Sequence, residues 1–159
     1  MAFWKAANVM MRSVEPNSQR GIGAIAIQHV TLWVSNVLRS REFYSGVLGL
    51  TEIPRPDWFD FQGTWYAVGR QQIHLTHADP LPPRTREHFC LQVKDRAVAR
   101  EYLESRGVVC QSDRDYYGTR RFIIFDPDNN YIEIAQIDQA WPTQWPDPLP
   151  AGMRGPLMR

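Results

Sequence analysis

The chain has 159 residues, enough for one domain to bury a core without disulfides or a structural metal. Its 18 Lys and Arg against 17 Asp and Glu leave a net charge of +1 with the basic residues scattered, which excludes the electrostatic footprint of a nucleic-acid binder. No stretch approaches the roughly 20 apolar residues of a membrane span, and two cysteines without a spaced framework, Cys90 and Cys110, suit a reducing compartment and hence the cytoplasm.

Residues 1–24 begin with a short apolar part interrupted by Glu15, Pro16 and Asn17, lack a small-residue cleavage site, and read as an N-terminal arm. The first strand is expected over 25–34, where His29, Thr31 and Trp33 share one face and Val30, Leu32 and Val34 the other. A helix should follow over 37–48. Asn36 is placed to cap it, Val37, Tyr44, Val47 and Leu48 recur at helical spacing, and Gly49 stands where a left-handed C-terminal residue belongs. Strands are expected near 51–55, 64–68 and 71–76, with Gly69 and Arg70 as a tight turn.

A proline-rich linker, 79–84, separates this βαβββ unit (25–78) from a second (85–137). The second unit has a strand at 87–93, a helix at 96–106 capped by Asp95 and ended by Gly107, and strands near 108–113, 119–125 and 130–136. Residues 138–159 form a tail rich in Pro and Trp. Its prolines exclude helix and central strand, and Trp141 and Trp145 are expected to pack an extended arm over the domain or a neighbouring subunit.

The two units repeat in their chemistry as well as their order. Forty-five residues separate His29 from His74 and again His88 from Glu133, so a shift of 59 residues carries the first pair onto the second. Each of the four lies on the more polar face of a strand whose other face is apolar, which lets the polar faces line one cleft. Imidazole nitrogen and carboxylate oxygen are donors that borderline divalent cations accept, so three histidines and a glutamate could hold one ion and leave positions open for substrate.

The segments QHVTLWVSN and REFYSGVLGL in the first unit and FDPDNNYIEIAQ in the second resemble the vicinal oxygen chelate superfamily, which includes glyoxalase I, extradiol dioxygenases and bleomycin-resistance proteins. In the last segment Asn129 stands where the family usually has glycine. The resemblance covers roughly residues 25–137. It implies an α+β fold with two tandem βαβββ modules forming a U-shaped mixed sheet around a metal cleft, often completed by a partner in a homodimer. It also implies His29, His88 and Glu133 as ligands on the first, fifth and eighth strands. His74 matches the fourth-strand position, where glyoxalase I has glutamate and the epimerase branch glutamine.

The chemistry expected of such a chain is one divalent metal (Zn, Ni, Co, Mn or Fe(II)) held by His29, His74, His88 and Glu133, in a lyase or isomerase acting on a small molecule that chelates through oxygen. Glu133 is the one candidate ligand able to act as proton base, because a metal-bound imidazole has its lone pair occupied. Arg121 is a candidate clamp for a carboxylate or phosphonate. Trp33 and Trp65 could wall a pocket, with Trp58, Phe59, Phe61 and Tyr66 as weaker candidates. His77, of opposite parity to His74, is assigned to the surface and Cys90 to packing. The rivals are an Fe(II) extradiol-type dioxygenase using His29, His88 and Glu133, and a metal-free protein that sequesters a drug or metabolite.

Overall fold

A computed structural model describes residues 22, 26–115 and 118–138; the expected N-terminal arm and the tail with Trp141 and Trp145 lie outside the described residues. Each unit folds in the expected βαβββ order. The first contains β1 (His29–Val34), α1 (Val37–Arg41), β2 (Thr51–Ile53), β3 (Gly63–Val68) and β4 (Gln71–His77). The second contains β5 (His88–Gln92), α2 (Arg96–Ser105), β6 (Gln111–Ser112), β7 (Thr119–Phe125) and β8 (Tyr131–Ile137). Hydrogen bonding resolves into two four-stranded mixed sheets, ordered β1-β4-β3-β2 and β5-β8-β7-β6. In each, the first edge strand, β1 or β5, runs parallel to its neighbour and the other pairings are antiparallel.

Local chemistry fixes the helices. Asn36 Oδ1 accepts from Arg39 N at 3.0 Å, and Asp95 Oδ1 accepts from Ala97 N and Val98 N at 2.8 and 3.1 Å, so both helices start where the capping residues stand. The first helix departs from the expected 37–48: after Arg41 it widens into a π-helical stretch, Glu42–Val47. Leu48 N then reaches back five residues to Phe43 O at 2.8 Å. The wider turn places two successive aromatics, Phe43 and Tyr44, in the core together, a demand that the apolar spacing alone does not reveal.

α1 lies against β3 and β4, and α2 against β8. The core is the helix-covered side of the strands: Val34, Tyr44, Tyr66, Ile73 and Leu75 from the first unit pack in one cluster with Leu103, Phe122, Ile124, Ile132 and Ile134 from the second. Polar contacts lock the units at the β7–β8 turn. Asp128 accepts from Ser35 N, Ser35 Oγ and Arg39 Nη2. From the linker, Arg84 donates to Asp128 O, Asn130 Oδ1 and Trp33 O.

The β3–β4 pairing depends on a missing side chain. A Cβ on Gly63 would sit 2.3 Å from Leu75 O, a backbone atom that cannot step aside. Gly63→Ala is expected to lower stability by about 1–3 kcal/mol, the usual cost of forced overpacking, measured as a shift in the urea midpoint at unchanged slope.

Candidate functional site

The parallel pairings set the two pairs of donors at the same offset. On β1 and β4, His29 is opposite Gln72 and Thr31 opposite His74; on β5 and β8, His88 is opposite Tyr131 and Cys90 opposite Glu133. In each unit the edge-strand histidine therefore faces the residue two before its partner donor. The 59-residue repeat of the sequence is a repeat in space.

In the first unit the imidazoles of His29 and His74 stack with centroids 4.2 Å apart and planes 14° from parallel, and Trp65 lies flat on the other side of His74 at 3.9 Å. Trp65 reaches this place because β3 pairs it directly with His74. His29 Nδ1 donates to Gln28 Oε1 at 2.5 Å, and His74 Nε2 lies 2.8 Å from Gln72 Oε1. Burial, with His29 next to it, holds the His74 pKa below its ordinary value, so the ring is neutral at pH 7. The stack opens on a cavity of about 830 Å³ that Trp33, Phe59 and Phe61 also line. His77, assigned to the surface by strand parity, is half-buried and belongs to this lining too.

In the second unit His88 Nδ1 lies 2.8 Å from Arg86 O, a carbonyl that can only accept, so this nitrogen carries the proton. The other nitrogen, Nε2, stands 3.4 Å from Glu133 Oε2. The contact is an ion pair if Nε2 also carries a proton and a seat for a cation if it does not. Glu133 is 2% exposed and its Oε1 has no hydrogen-bond partner among the described residues. Oε2 also accepts from Arg121 Nη1 at 2.7 Å, while Arg121 Nη2 pairs with Asp113 at 2.7 Å and Nε donates to Arg114 O. The guanidinium that the sequence offers as a substrate clamp is thus placed on Glu133. Cys90 keeps part of its surface in solvent, yet burial of its thiol, with Glu133 close by, pushes its pKa up to about 12. It is a protonated thiol beside the carboxylate and no thiolate nucleophile at neutral pH.

The four expected ligands stand as two pairs, His29 with His74 and His88 with Glu133. Among the described residues, no three His, Cys, Asp or Glu side chains are gathered to hold one ion. The chemistry of the pairs nevertheless fits a divalent cation: imidazoles held by acceptors on one ring nitrogen, and a buried carboxylate with an unsatisfied oxygen. The orienting groups Gln28, Gln72 and the Arg86 carbonyl carry no signature in the sequence beyond lying within two residues of each histidine. Asp113, which holds Arg121, has none.

Residues 26–134 match the sequence model of the Glyoxalase/Bleomycin resistance protein/Dioxygenase superfamily. Among curated proteins the chain is 27% identical over 124 residues to Glyoxylase I 4 of Arabidopsis thaliana, covering 71% of each chain. It is 29% identical over 128 residues to the uncharacterized protein YaeR of Escherichia coli K12, covering 72% of this chain and 98% of that one. Among solved structures it superposes on a glyoxalase family protein from Bacillus anthracis with a TM-score of 0.70 and 26% identity, over 75% of this chain and 99% of the other.

Proposed function

This chain belongs to the Glyoxalase/Bleomycin resistance protein/Dioxygenase superfamily, and from that premise we propose that it is a divalent-metal-dependent lyase or isomerase acting on a small molecule that chelates through oxygen. The observation that carries the reading is the facing of His88 Nε2 and Glu133 Oε2 across 3.4 Å, with Glu133 Oε1 buried and unpartnered among the described residues. A ring nitrogen and a carboxylate oxygen so placed, with the His29 and His74 pair at the same register offset, would form half of a cation site in each unit.

His29, His74, His88 and Glu133 would hold the ion, which supplies Lewis-acid polarisation of the substrate oxygens. The rest falls to the chain. Glu133 takes a proton from the carbon beside a substrate oxygen, with Oε1 as the accepting atom, while Arg121 positions the carboxylate through Oε2. Trp65 and Trp33 wall the substrate. The pairs sit on edge strands or next to them, and among the described residues only first-unit side chains line the cavity beside His29 and His74. This supports a homodimer in which the second copy brings its His88 and Glu133 pair to complete each centre. No helix of the described residues is long and apolar enough to cross a membrane, and the two free cysteines favour a reducing, cytoplasmic setting.

Purified protein is expected to bind one divalent ion per chain by titration calorimetry, and His74→Ala to weaken that binding by more than about 100-fold, beyond the 10- to 100-fold typical of residues that only orient ligands. Unchanged binding in His74→Ala defeats the four-donor centre. A His29→Ala/His74→Ala chain and a His88→Ala/Glu133→Gln chain, each inert alone, should regain binding when mixed if two copies share the centre. No recovery would put it inside one chain.

A further inference from the structure

The cavity beside His29 and His74 is large for a two- or three-carbon metabolite: about 830 Å³ falls in the range that encloses a drug-sized molecule. Its walls are aromatic and come from separate parts of the first unit, Trp33 on β1, Trp65 on β3, and Phe59 and Phe61 on the loop between β2 and β3. These rings form a continuous series. Trp58 stacks on Phe59 at 4.2 Å, Phe59 meets Trp65 edge-on at 5.5 Å, Trp65 lies flat on His74, and His74 on His29.

Charge narrows the ligand further. Among the described residues, no Asp, Glu, Lys or Arg lines the cavity. A carboxylate or phosphate entering it would shed water with no guanidinium or ammonium in that lining to replace the lost hydrogen bonds. A cation would be drawn to the ring faces, but Arg55 already lies over Phe59 and Phe61, 4.9 and 4.6 Å from their centroids, and its charge opposes a second one. Arg55 is held there by donating Nη2 to Phe61 O. The other polar groups of the lining are the imidazoles of His29, His74 and His77, the hydroxyls of Thr31 and Thr76 and the amides of Gln28 and Gln72, none of which carries the permanent charge of a guanidinium or an ammonium.

We propose that this cavity takes an uncharged, flat molecule of two or more fused aromatic rings, laid against Trp65 and closed over by Phe59 and Phe61, with its oxygen atoms toward His29 and His74. The orientation of the oxygens rests on the proposed metal centre; the preference for flat, uncharged rings does not. Phe59 is the specificity residue, because among the described residues it alone touches both the loop aromatics and Trp65.

Three probes of matched size separate the possibilities by titration calorimetry on the full chain: 2,3-dihydroxynaphthalene (flat, uncharged), decalin-2,3-diol (saturated, same oxygens) and 3-hydroxy-2-naphthoate (flat, anionic). The expected result is binding of the naphthalenediol about tenfold tighter than the decalindiol, the upper end of what an aromatic contact contributes beyond buried area, and tighter than the naphthoate, whose carboxylate must shed water. Phe59→Leu should remove most of that preference, weakening the naphthalenediol more than the decalindiol. If Phe59→Leu does not fold by circular dichroism, Phe61→Leu takes its place, and the probe ranking on the parent chain stands without either variant. Equal affinity for the saturated diol, tighter binding of the naphthoate, or no binding of any probe overturns the proposal. Each titration is run on chelator-stripped and on Zn²⁺-loaded protein. A ring preference with a diol affinity that Zn²⁺ leaves unchanged supports this inference and defeats the metal reading, and Zn²⁺-dependent diol binding without a ring preference does the reverse.

Discussion

Arg121→Gln should cost the protein about 3–5 kcal/mol of folding stability, the range seen when one partner of a buried ion pair is removed. Glu133 is 2% exposed, its Oε1 has no partner among the described residues, and Arg121 is the residue that brings a full positive charge to Oε2. Its side chain is itself only 19% exposed and forks between Glu133 and Asp113. Take the guanidinium away and two carboxylates, one fully buried, face each other's field without compensation. Arg121→Lys keeps the charge but loses the fork and the donation to Arg114 O, so a smaller loss is expected. Glu133→Gln in the Arg121→Gln background should recover much of the deficit, since the buried charge is gone. A double variant as unstable as the single one would show that the pair is not coupled. Equilibrium urea unfolding of metal-free protein reads all three. Because His88 and Arg121 converge on the same oxygen, a divalent ion bound there should raise the midpoint of Arg121→Gln more than that of the parent chain.

Much of the fold can be read from strand alternation and capping residues, because both act over a few neighbours. His29, Thr31 and Trp33 alternate with Val30, Leu32 and Val34, and the structure keeps those faces apart, Val34 buried and His29 exposed. Asn36 and Asp95 cap the helices they precede. The π-helical Glu42–Val47 was not legible, since Tyr44, Val47 and Leu48 suit an α-helix equally well and the difference lies in what Phe43 and Tyr44 meet across the core. The family resemblance and the 45-residue spacing single out His29, His74, His88 and Glu133 as candidates, and the register places each pair at the same offset. Spacing does not carry who neutralises whom. The sequence offers Arg121 as a substrate clamp and does not show its pairing with Glu133, Asp113 and Arg114, which lie distant in sequence or in an irregular loop. His77 fails by parity for a similar reason: it is the last residue of β4, with its N–H donated to Gln62 O, and it reaches the cavity where the β2–β3 loop returns.

The other large effect is expected at Asp126, which is 4% exposed. Its Oδ1 accepts from Asp128 N and Asn130 N at 2.9 and 2.8 Å, and its Oδ2 from Asn130 Nδ2 and Tyr44 OH at 2.7 and 3.0 Å. Burial and the nearby Asp126 carboxylate push the Tyr44 hydroxyl well above its ordinary pKa, so it remains a donor. Asp126→Ala strands the two backbone N–H groups and the Tyr44 hydroxyl, while Asn130 Nδ2 keeps Trp33 O; at roughly 1–3 kcal/mol for each buried donor left unmade, the loss is about 3 kcal/mol or more. Asp126→Asn can still accept at one oxygen from the two backbone groups, so about half that loss is expected. Tyr44→Phe, which removes one donor and leaves the carboxylate three partners, should cost only about 1 kcal/mol. Asn129 tests the same turn from the other side. It occupies the left-handed region at φ 61°, where asparagine is tolerated and glycine is at ease, so Asn129→Gly should change stability by less than about 1 kcal/mol. If Asn129→Gly moved the urea midpoint as far as Asp126→Ala, backbone conformation would govern the turn. The opposite order would establish that the buried carboxylate fastens the strand bearing Glu133 to the helix that covers the strand bearing His74.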